Sequence, residues 1–122
     1  MSATLPAEVR RFEAHIKKTY EGVVFELLVT HNLLVRKVVE LTWIIVNDRK
    51  QGVGTAIMRE LSEFADSNAA EISLKPASKG DYAATTSRGR LVRFYKSFGF
   101  VVEKAKPAEF RIMPTMIRQP VV

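Results

Sequence analysis

Apolar positions near the start of the chain recur with the period of an α-helix. The stripe predicts an amphipathic helix over residues 5–18 and consists of Leu5, Val9, Phe12 and Ile16. Thr4 is placed to cap this helix, and Pro6 fits its first turn, where a missing N–H has no partner to lose. The chain is therefore expected to open with a capped helix that buries one face.

Segments rich in Val, Ile, Leu, Phe and Trp follow this helix. Residues 23–30 and 33–46 have the composition of β-strands and are predicted to join at His31-Asn32. Apolar side chains fall on both faces of these segments, which predicts a sheet that is covered on both sides. Within this sheet, Trp43 is interpreted as a core residue.

The remainder of the chain alternates between helical and extended patterns. A helix is predicted after Gly54, with an apolar stripe at Ile57, Leu61 and Phe64. A strand at 72–74 and a loop at 76–87 follow it. The last predicted elements are a helix over 87–97 that ends before Gly99 and closing strands at 101–102 and 110–112. Strands that alternate with helices in this order predict an α/β fold in one domain, residues 1–122.

The amino-acid composition limits which catalytic groups and metal sites the chain can have. The chain of 122 residues has no cysteine, which excludes thiolate catalysis and cysteine-ligated zinc, and its only histidines are His15 and His31. No metal site is therefore expected. No apolar run approaches the roughly 20 residues of a membrane span, and the N-terminus is not followed by a signal-type stretch. These features predict a cytoplasmic protein without a membrane partner, as a monomer or a homodimer.

Charge is unevenly distributed along the chain. Residues 1–74 hold 9 Lys/Arg and 10 Asp/Glu, a net charge of −1, whereas residues 75–122 hold 10 Lys/Arg and 3 Asp/Glu, a net charge of +7. The basic half can face phosphates, nucleic acid or an acidic protein, or it can be a solvated surface. Charge alone leaves these alternatives open.

The segment between the second strand and the second helix has the pattern of a phosphate-binding loop. It reads RKQGVG from Arg49 to Gly54, and backbone N–H groups at the start of a helix bind phosphate without needing particular side chains. A dinucleotide fingerprint would need Gly or Ala where Ile57 stands, and a Walker loop would need a Gly-Lys-Ser/Thr tripeptide, which this segment lacks. Both alternatives fail, although a plain tight turn would have the same glycines.

At this loop the chain resembles the GNAT superfamily of N-acetyltransferases. RKQGVG is similar to that family's acetyl-CoA loop, Arg/Gln-x-x-Gly-x-Gly/Ala, and RFYKSFGF, from Arg93 to Phe100, is similar to its second signature, a helix that ends Tyr-x-x-x-Gly-Phe. The resemblance covers about residues 38–102, and the basic segment RGRLVRFYKSFGF is similar to that of small members carried by phages. It implies a mixed, mainly antiparallel central sheet that is flanked by helices and splayed at the cofactor-binding strand.

The resemblance also implies a set of cofactor contacts and a general acid. The backbone of Thr42, Trp43 and Ile44 would pair with the pantetheine arm of acetyl-CoA, and Arg49 would hold the loop. Backbone amides would cradle the pyrophosphate, and they belong to Lys50, Gln51, Gly52, Val53, Gly54 and Thr55. Tyr95 would return a proton to the departing CoA thiolate, because a phenol with a pKa near 10 is a competent donor. The alternative for Tyr95 is a core aromatic.

The general base is less well defined by the sequence. Glu40 lies in the strand before the loop and shares alternation parity with Thr42 and Ile44, so it could deprotonate the amine, or it could be a solvated strand residue. Glu71 is a weaker candidate, since Ser73 and Lys75 stand where some relatives have an acid. A water-mediated route stays open.

The acceptor and the phosphate partners are predicted only by class. The chain is short for the family, which predicts an open site for a protein or peptide amine ahead of a small polyamine. Asp81 and Tyr82 could contact the acceptor, and arginines 88, 90 and 93 could meet the 3′-phosphate of CoA. The competing hypothesis is a non-catalytic module that binds nucleic acid or an acidic partner through the basic half.

Overall fold

The computed structural model describes residues 4–45, 52–75, 88–102 and 115–121. These residues form, in chain order, α1 (Leu5–Thr19), β1 (Val24–Leu33), β2 (Arg36–Ile45), α2 (Val53–Ser67), β3 (Glu71–Leu74), α3 (Arg88–Lys96), β4 (Val101–Val102) and β5 (Met116–Arg118). The strands build a five-stranded sheet in the order β1-β2-β3-β5-β4. Only the β2–β3 pairing is parallel among the described strands, so the predicted α/β class with a mainly antiparallel sheet is confirmed.

The first helix forms as its apolar stripe predicts. Thr4 has extended backbone angles and its hydroxyl accepts a hydrogen bond from the Ala7 N–H at 3.4 Å, which caps the helix. His15 lies off the stripe, and its side chain is 53% exposed. Its Nε2 lies 2.7 Å from Oε1 of Glu60, and the Tyr20 hydroxyl donates to the other oxygen of that carboxylate. Glu60 belongs to α2, so this carboxylate joins the first two helices.

The hairpin between β1 and β2 turns later than the sequence predicts. His31 pairs with Val38 and Asn32 with a residue of β2, so both lie inside the strand, and the loop consists of Leu34 and Val35. The prediction of a turn at His31-Asn32 is therefore wrong. Asn favours turns through its side chain, but here cross-strand pairing outweighs that local preference.

The sheet has one well-covered face. Side chains from α1, α2 and α3 join the residues Phe25, Val39, Ile72 and Met116 of the sheet in one core cluster. On the opposite face Leu28 is 54% exposed, so the prediction that both faces of the hairpin are covered is wrong for this strand. Apolar residues on both faces of a segment therefore do not by themselves show that both faces are packed.

The end of the described chain closes the sheet. The predicted strand at 101–102 is confirmed as β4, whereas residues 110–112, predicted as its partner, lie outside the described residues. β5 at Met116–Arg118 pairs with both β3 and β4 and was not predicted. A three-residue strand offers too short a pattern to be recognised from periodicity.

Candidate functional site

The last part of β2 extends beyond its parallel neighbour. Pairing between β2 and β3 ends where Leu41 lies opposite Leu74, and no described strand continues on that side of Thr42–Ile45. On its other side this segment still pairs with the start of β1. The strand thus ends with one edge facing a part of the molecule where β3 no longer accompanies it, directly before the segment that leads to α2.

A β-bulge at Thr42 changes which side chains share a face of β2. Leu41 pairs with Leu27 and Trp43 with Glu26, so Thr42 has no partner in β1. The bulge shifts the alternation by one residue: Ile44 returns to the core face, while Trp43 lies on the opposite face and is 44% exposed. The interpretation of Trp43 as a core residue is therefore wrong.

The same bulge corrects the predicted placement of Glu40. Glu40 pairs with Leu28 on one side and with Ser73 on the other, and it is half-buried in the middle of the sheet. Because of the bulge it shares its face with Trp43 and not with Ile44. The prediction that Glu40 shares a face with Ile44 is therefore wrong. The role of Glu40 as general base stays a prediction.

The start of α2 has no side-chain cap. Gly52 occupies the N-cap position with φ 65° and ψ 22°, a left-handed conformation that glycine adopts without the strain of a Cβ. The first bond of the helix ladder runs from the Ala56 N–H to the Gly52 carbonyl at 3.0 Å. The N–H groups of Val53, Gly54 and Thr55 therefore have no acceptor within the helix, and they lie at its positive end.

Space around the two glycines is unequal. A Cβ on Gly52 would have no described heavy atom within 4 Å, whereas a Cβ on Gly54 would lie 4.0 Å from Cζ of Phe94. That second contact is an ordinary van der Waals distance, so neither glycine is required by packing within the described residues. It also places α3, which carries Phe94, beside the first turn of α2.

Tyr95 follows Phe94 on this helix and lies in the core. It is 7% exposed, and its ring packs edge-on against Phe94 at 5.4 Å and Phe100 at 5.8 Å between centroids. The structure therefore brings the tyrosine of the second signature into the helix that contacts the first turn of α2. Its burial fits the core interpretation as well, and its role as a general acid stays a prediction.

Other predicted site residues are only partly described. Val53, Gly54 and Thr55 lie half-buried in the first turn of α2. The predicted contacts Arg49, Lys50 and Gln51, like Asp81 and Tyr82, lie outside the described residues. The nearness of Phe94 to Gly54 was missed by sequence reasoning, which assigned Phe94 only to the buried side of its helix. Because Phe94 directly precedes Tyr95, the sequence could have predicted that Phe94 lies near the glycine turn.

Among the solved structures that resemble this chain is an anti-CRISPR protein. No family model matches the chain. No curated protein matches it either. A crystal structure of the anti-CRISPR protein AcrVA5 is similar over 65% of this chain and 76% of that chain, with 20% sequence identity and a TM-score of 0.49. A likeness of this size does not assign the chain to a family or an activity.

The described residues can also be compared with the requirements of a metal site and of a membrane span. They include no group of three or more acidic or histidine side chains arranged to hold a metal ion. None of their helices is both long enough and apolar enough to cross a membrane.

Proposed function

We propose that the chain is an acetyl-CoA-dependent N-acetyltransferase that transfers an acetyl group to a primary amine on a protein or peptide. The observation that carries this proposal is the first turn of α2. Gly52 and Gly54 of the RKQGVG motif open the helix with N–H groups that have no acceptor within the helix. The Phe94 ring of α3, which carries the RFYKSFGF motif, lies 4.0 Å from the position that a Cβ on Gly54 would take. This proximity supports a shared site for the two motifs of the GNAT resemblance.

Phosphate recognition follows from the backbone of this turn. N–H groups at the positive end of a helix attract an anion through their hydrogens and through the aligned peptide dipoles. The pyrophosphate of acetyl-CoA would accept hydrogen bonds from Val53, Gly54 and Thr55. The pantetheine arm would lie along the Thr42–Ile44 segment of β2, where β3 has ended.

The transfer itself is an acyl exchange between sulfur and nitrogen. The neutral amine attacks the thioester carbonyl carbon, a C–N bond forms, and the C–S bond breaks to release CoA as a thiolate. Tyr95 would give its hydroxyl proton to that sulfur, and a water molecule would take the proton that the amine loses. Glu40 is the alternative base, although it lies on the face of β2 opposite the core that holds Tyr95. Proton exchange with solvent then restores both groups.

A second candidate function is a non-catalytic module that binds nucleic acid or an acidic partner. It is favoured by the net charge of +7 in residues 75–122. Such a module has no physical need for two glycines before α2 or for a tyrosine at position 95, so we place the enzyme first.

Calorimetry with a pair of Gly54 variants tests the proposal. Gly54→Val places a branched side chain over the turn and should weaken CoA binding by about tenfold or more, because each hydrogen bond to a charged phosphate contributes about 1.5 kcal/mol or more. Gly54→Ala is the matched control, since its Cβ has ordinary contact distance to Phe94 and the family motif allows alanine there.

Thermal melting verifies that both variants are folded. A folded Gly54→Val protein that binds CoA like the parent would remove the cofactor site from this turn. A parent protein that does not bind CoA at all would favour the binding module instead.

A further inference from the structure

The solvent-facing side of α3 carries positive charge. Arg90, Arg93 and Lys96 are exposed and follow one another at intervals of three residues, so they lie along one face of the helix. The opposite side holds Leu91 and Tyr95, which pack in or against the core. We call the residues Arg90, Arg93 and Lys96 the basic stripe.

The segment of sequence that carries this stripe is not acidic. The sequence from 88 to 102 contains no Asp or Glu. Arg93 and Lys96 form no ion pair with any residue in the described ranges. Arg118 has a different role, because its side chain is buried and paired with Asp66. Arg93 and Lys96 are therefore exposed cations without an acidic partner in the described ranges, and the argument below rests on these two residues.

The spacing and the surroundings of the stripe fit a polyphosphate backbone. Consecutive members lie about 4.5 Å apart along the helix axis, given a rise of about 1.5 Å per residue. Phe94 and Phe98 are half-buried against the core, so this face offers no open aromatic platform for unpaired bases. Contacts to phosphate position a protein on a duplex without reading its sequence.

We propose that the basic stripe binds the phosphate backbone of double-stranded nucleic acid without sequence preference. This partner is independent of the amine acceptor and of acetyl-CoA. It would hold the protein on a duplex through the exposed side chains of α3.

The salt dependence of duplex binding tests this proposal. Each phosphate contact contributes about 0.9 to the slope of log affinity against log salt, so Arg93 and Lys96 together should contribute about 1.8. Fluorescence anisotropy of a labelled DNA duplex of arbitrary sequence measures that slope. Between about 50 and 200 mM salt, the affinity of the parent should fall about 12-fold more than that of Arg93→Gln/Lys96→Gln.

A matched control separates local contacts from net charge. Lys17→Gln/Lys18→Gln also removes two exposed cations from the last turn of a helix, α1, and it should leave the slope unchanged. An equal change in both double variants would overturn the proposal, because it would show a general charge effect. A parent that does not bind the duplex would overturn it as well.

Competition identifies the class of anion. Neither free CoA nor polyglutamate should displace the duplex when added at equal phosphate or carboxylate concentration. Displacement by CoA would assign the stripe to the cofactor's phosphates, and displacement by polyglutamate would assign it to acidic proteins; either result contradicts the proposal. Acetyl transfer is not needed for any of these measurements, so they stand or fall apart from the proposed enzyme activity.

Discussion

The two ends of α2 are built in opposite ways. At the C-terminal end, the Asn68 N–H donates to the carbonyls of Phe64 and Ala65, and its side-chain amide donates to Phe64 at 2.8 Å. The N–H of Ala70 also returns to Ala65 at 2.8 Å. At the N-terminal end, Gly52 provides no side-chain cap. The C-terminal end therefore satisfies its polar groups among the described residues, whereas the first N–H groups at the N-terminal end have no acceptor within the helix.

A buried ion pair extends the contrast. Asp66, in the last turn of α2, accepts two hydrogen bonds from the Arg118 guanidinium at 2.8 and 3.1 Å and a third from the Val121 N–H. Arg118 also donates through Nε to the Phe98 carbonyl at 2.8 Å. The C-terminal end of α2 is thus joined to β5, to the turn after α3 and to the final described residues.

This difference suggests that the C-terminal end of α2 stabilises the fold, whereas the N-terminal end is available to bind a ligand. Hydrogen-bonded groups at the C-terminal end hold helices and strands in place, so substitutions there should change the free energy of unfolding. Uncapped N–H groups at a helix start contribute little to the fold, so changes there should appear in binding and turnover. The predictions below test that division of roles from the largest expected effect to the smallest.

Removing the hydroxyl of Tyr95 should abolish most activity. Tyr95→Phe keeps the ring that packs against Phe94 and Phe100, so the fold and CoA binding should persist. If the hydroxyl protonates the thiolate, kcat should fall by about 10²–10⁴-fold with little change in binding. Turnover is measured with an acceptor found by labelling a cell extract with acetyl-CoA, after subtraction of thioester hydrolysis.

The core interpretation of Tyr95 gives the opposite pattern. If the hydroxyl has only a structural role, turnover should survive and the free energy of unfolding should fall by about 1 kcal/mol. Wild-type turnover in the folded variant would remove Tyr95 from the mechanism and leave solvent as the proton donor.

Breaking the ion pair at the C-terminal end should cost mainly stability. Asp66→Ala leaves the Arg118 charge buried without its partner, since only 8% of that side chain is exposed. The expected loss in the free energy of unfolding is about 3–5 kcal/mol, measured by urea denaturation. Glu63→Ala, an exposed change one turn earlier, should stay within about 0.5 kcal/mol of the parent. Equal losses in the two variants would contradict the role of the pair.

The lowered pKa of the Asp66 carboxyl predicts how the stability of the protein changes at low pH. Hydrogen bonds from the Arg118 guanidinium, followed by the Val121 N–H, hold the pKa of Asp66 below its usual value in spite of partial burial. A carboxyl whose pKa is lower in the folded state stabilises the protein above the unfolded pKa, near 4, and loses that contribution as pH falls through the folded value. Unfolding measured across this range should show a smaller acid-induced loss in Asp66→Asn than in the parent.

Helices were predicted well because their signals are periodic and local. The stripe from Leu5 to Ile16 and the glycine stop at Gly99 each act over a few residues, and α1, α2 and α3 lie where these patterns put them. The hairpin was predicted less well, because its register depends on pairing between distant residues. An Asn in the strand and a Leu-Val turn both contradict local preference.

The candidate site shows the same limit. The sequence predicts a glycine-rich helix start after a strand, and the structure has Gly52 there in the left-handed region. It does not predict the bulge at Thr42, which places Trp43 on the face opposite the core. It also gives no sign that Asp66 and Arg118 meet, because nothing in either local pattern specifies a partner so far along the chain.

A pair of single-residue exchanges at the two ends of α2 should have small and opposite effects on stability. Gly52 at φ 65° and Ala69 at φ 53° both lie in the left-handed region, where a Cβ costs about 1–2 kcal/mol and the extra freedom of unfolded glycine returns part of that. Gly52→Ala should therefore lower the free energy of unfolding by about 1 kcal/mol, and Ala69→Gly should raise it by up to about 1 kcal/mol. Calorimetric melting would show shifts of about 4 °C in opposite directions.

Binding then separates the two ends more sharply than stability does. Ala69→Gly should leave CoA affinity unchanged, because the C-terminal end faces other parts of the protein. Gly52→Ala should weaken CoA binding beyond its effect on folding, since the new Cβ meets no described protein atom within 4 Å and would stand where the proposed pyrophosphate approaches the backbone. If Gly52→Ala changed melting but not CoA affinity, Gly52 would serve the turn alone, and the phosphate site would have to lie elsewhere along the first turn of α2.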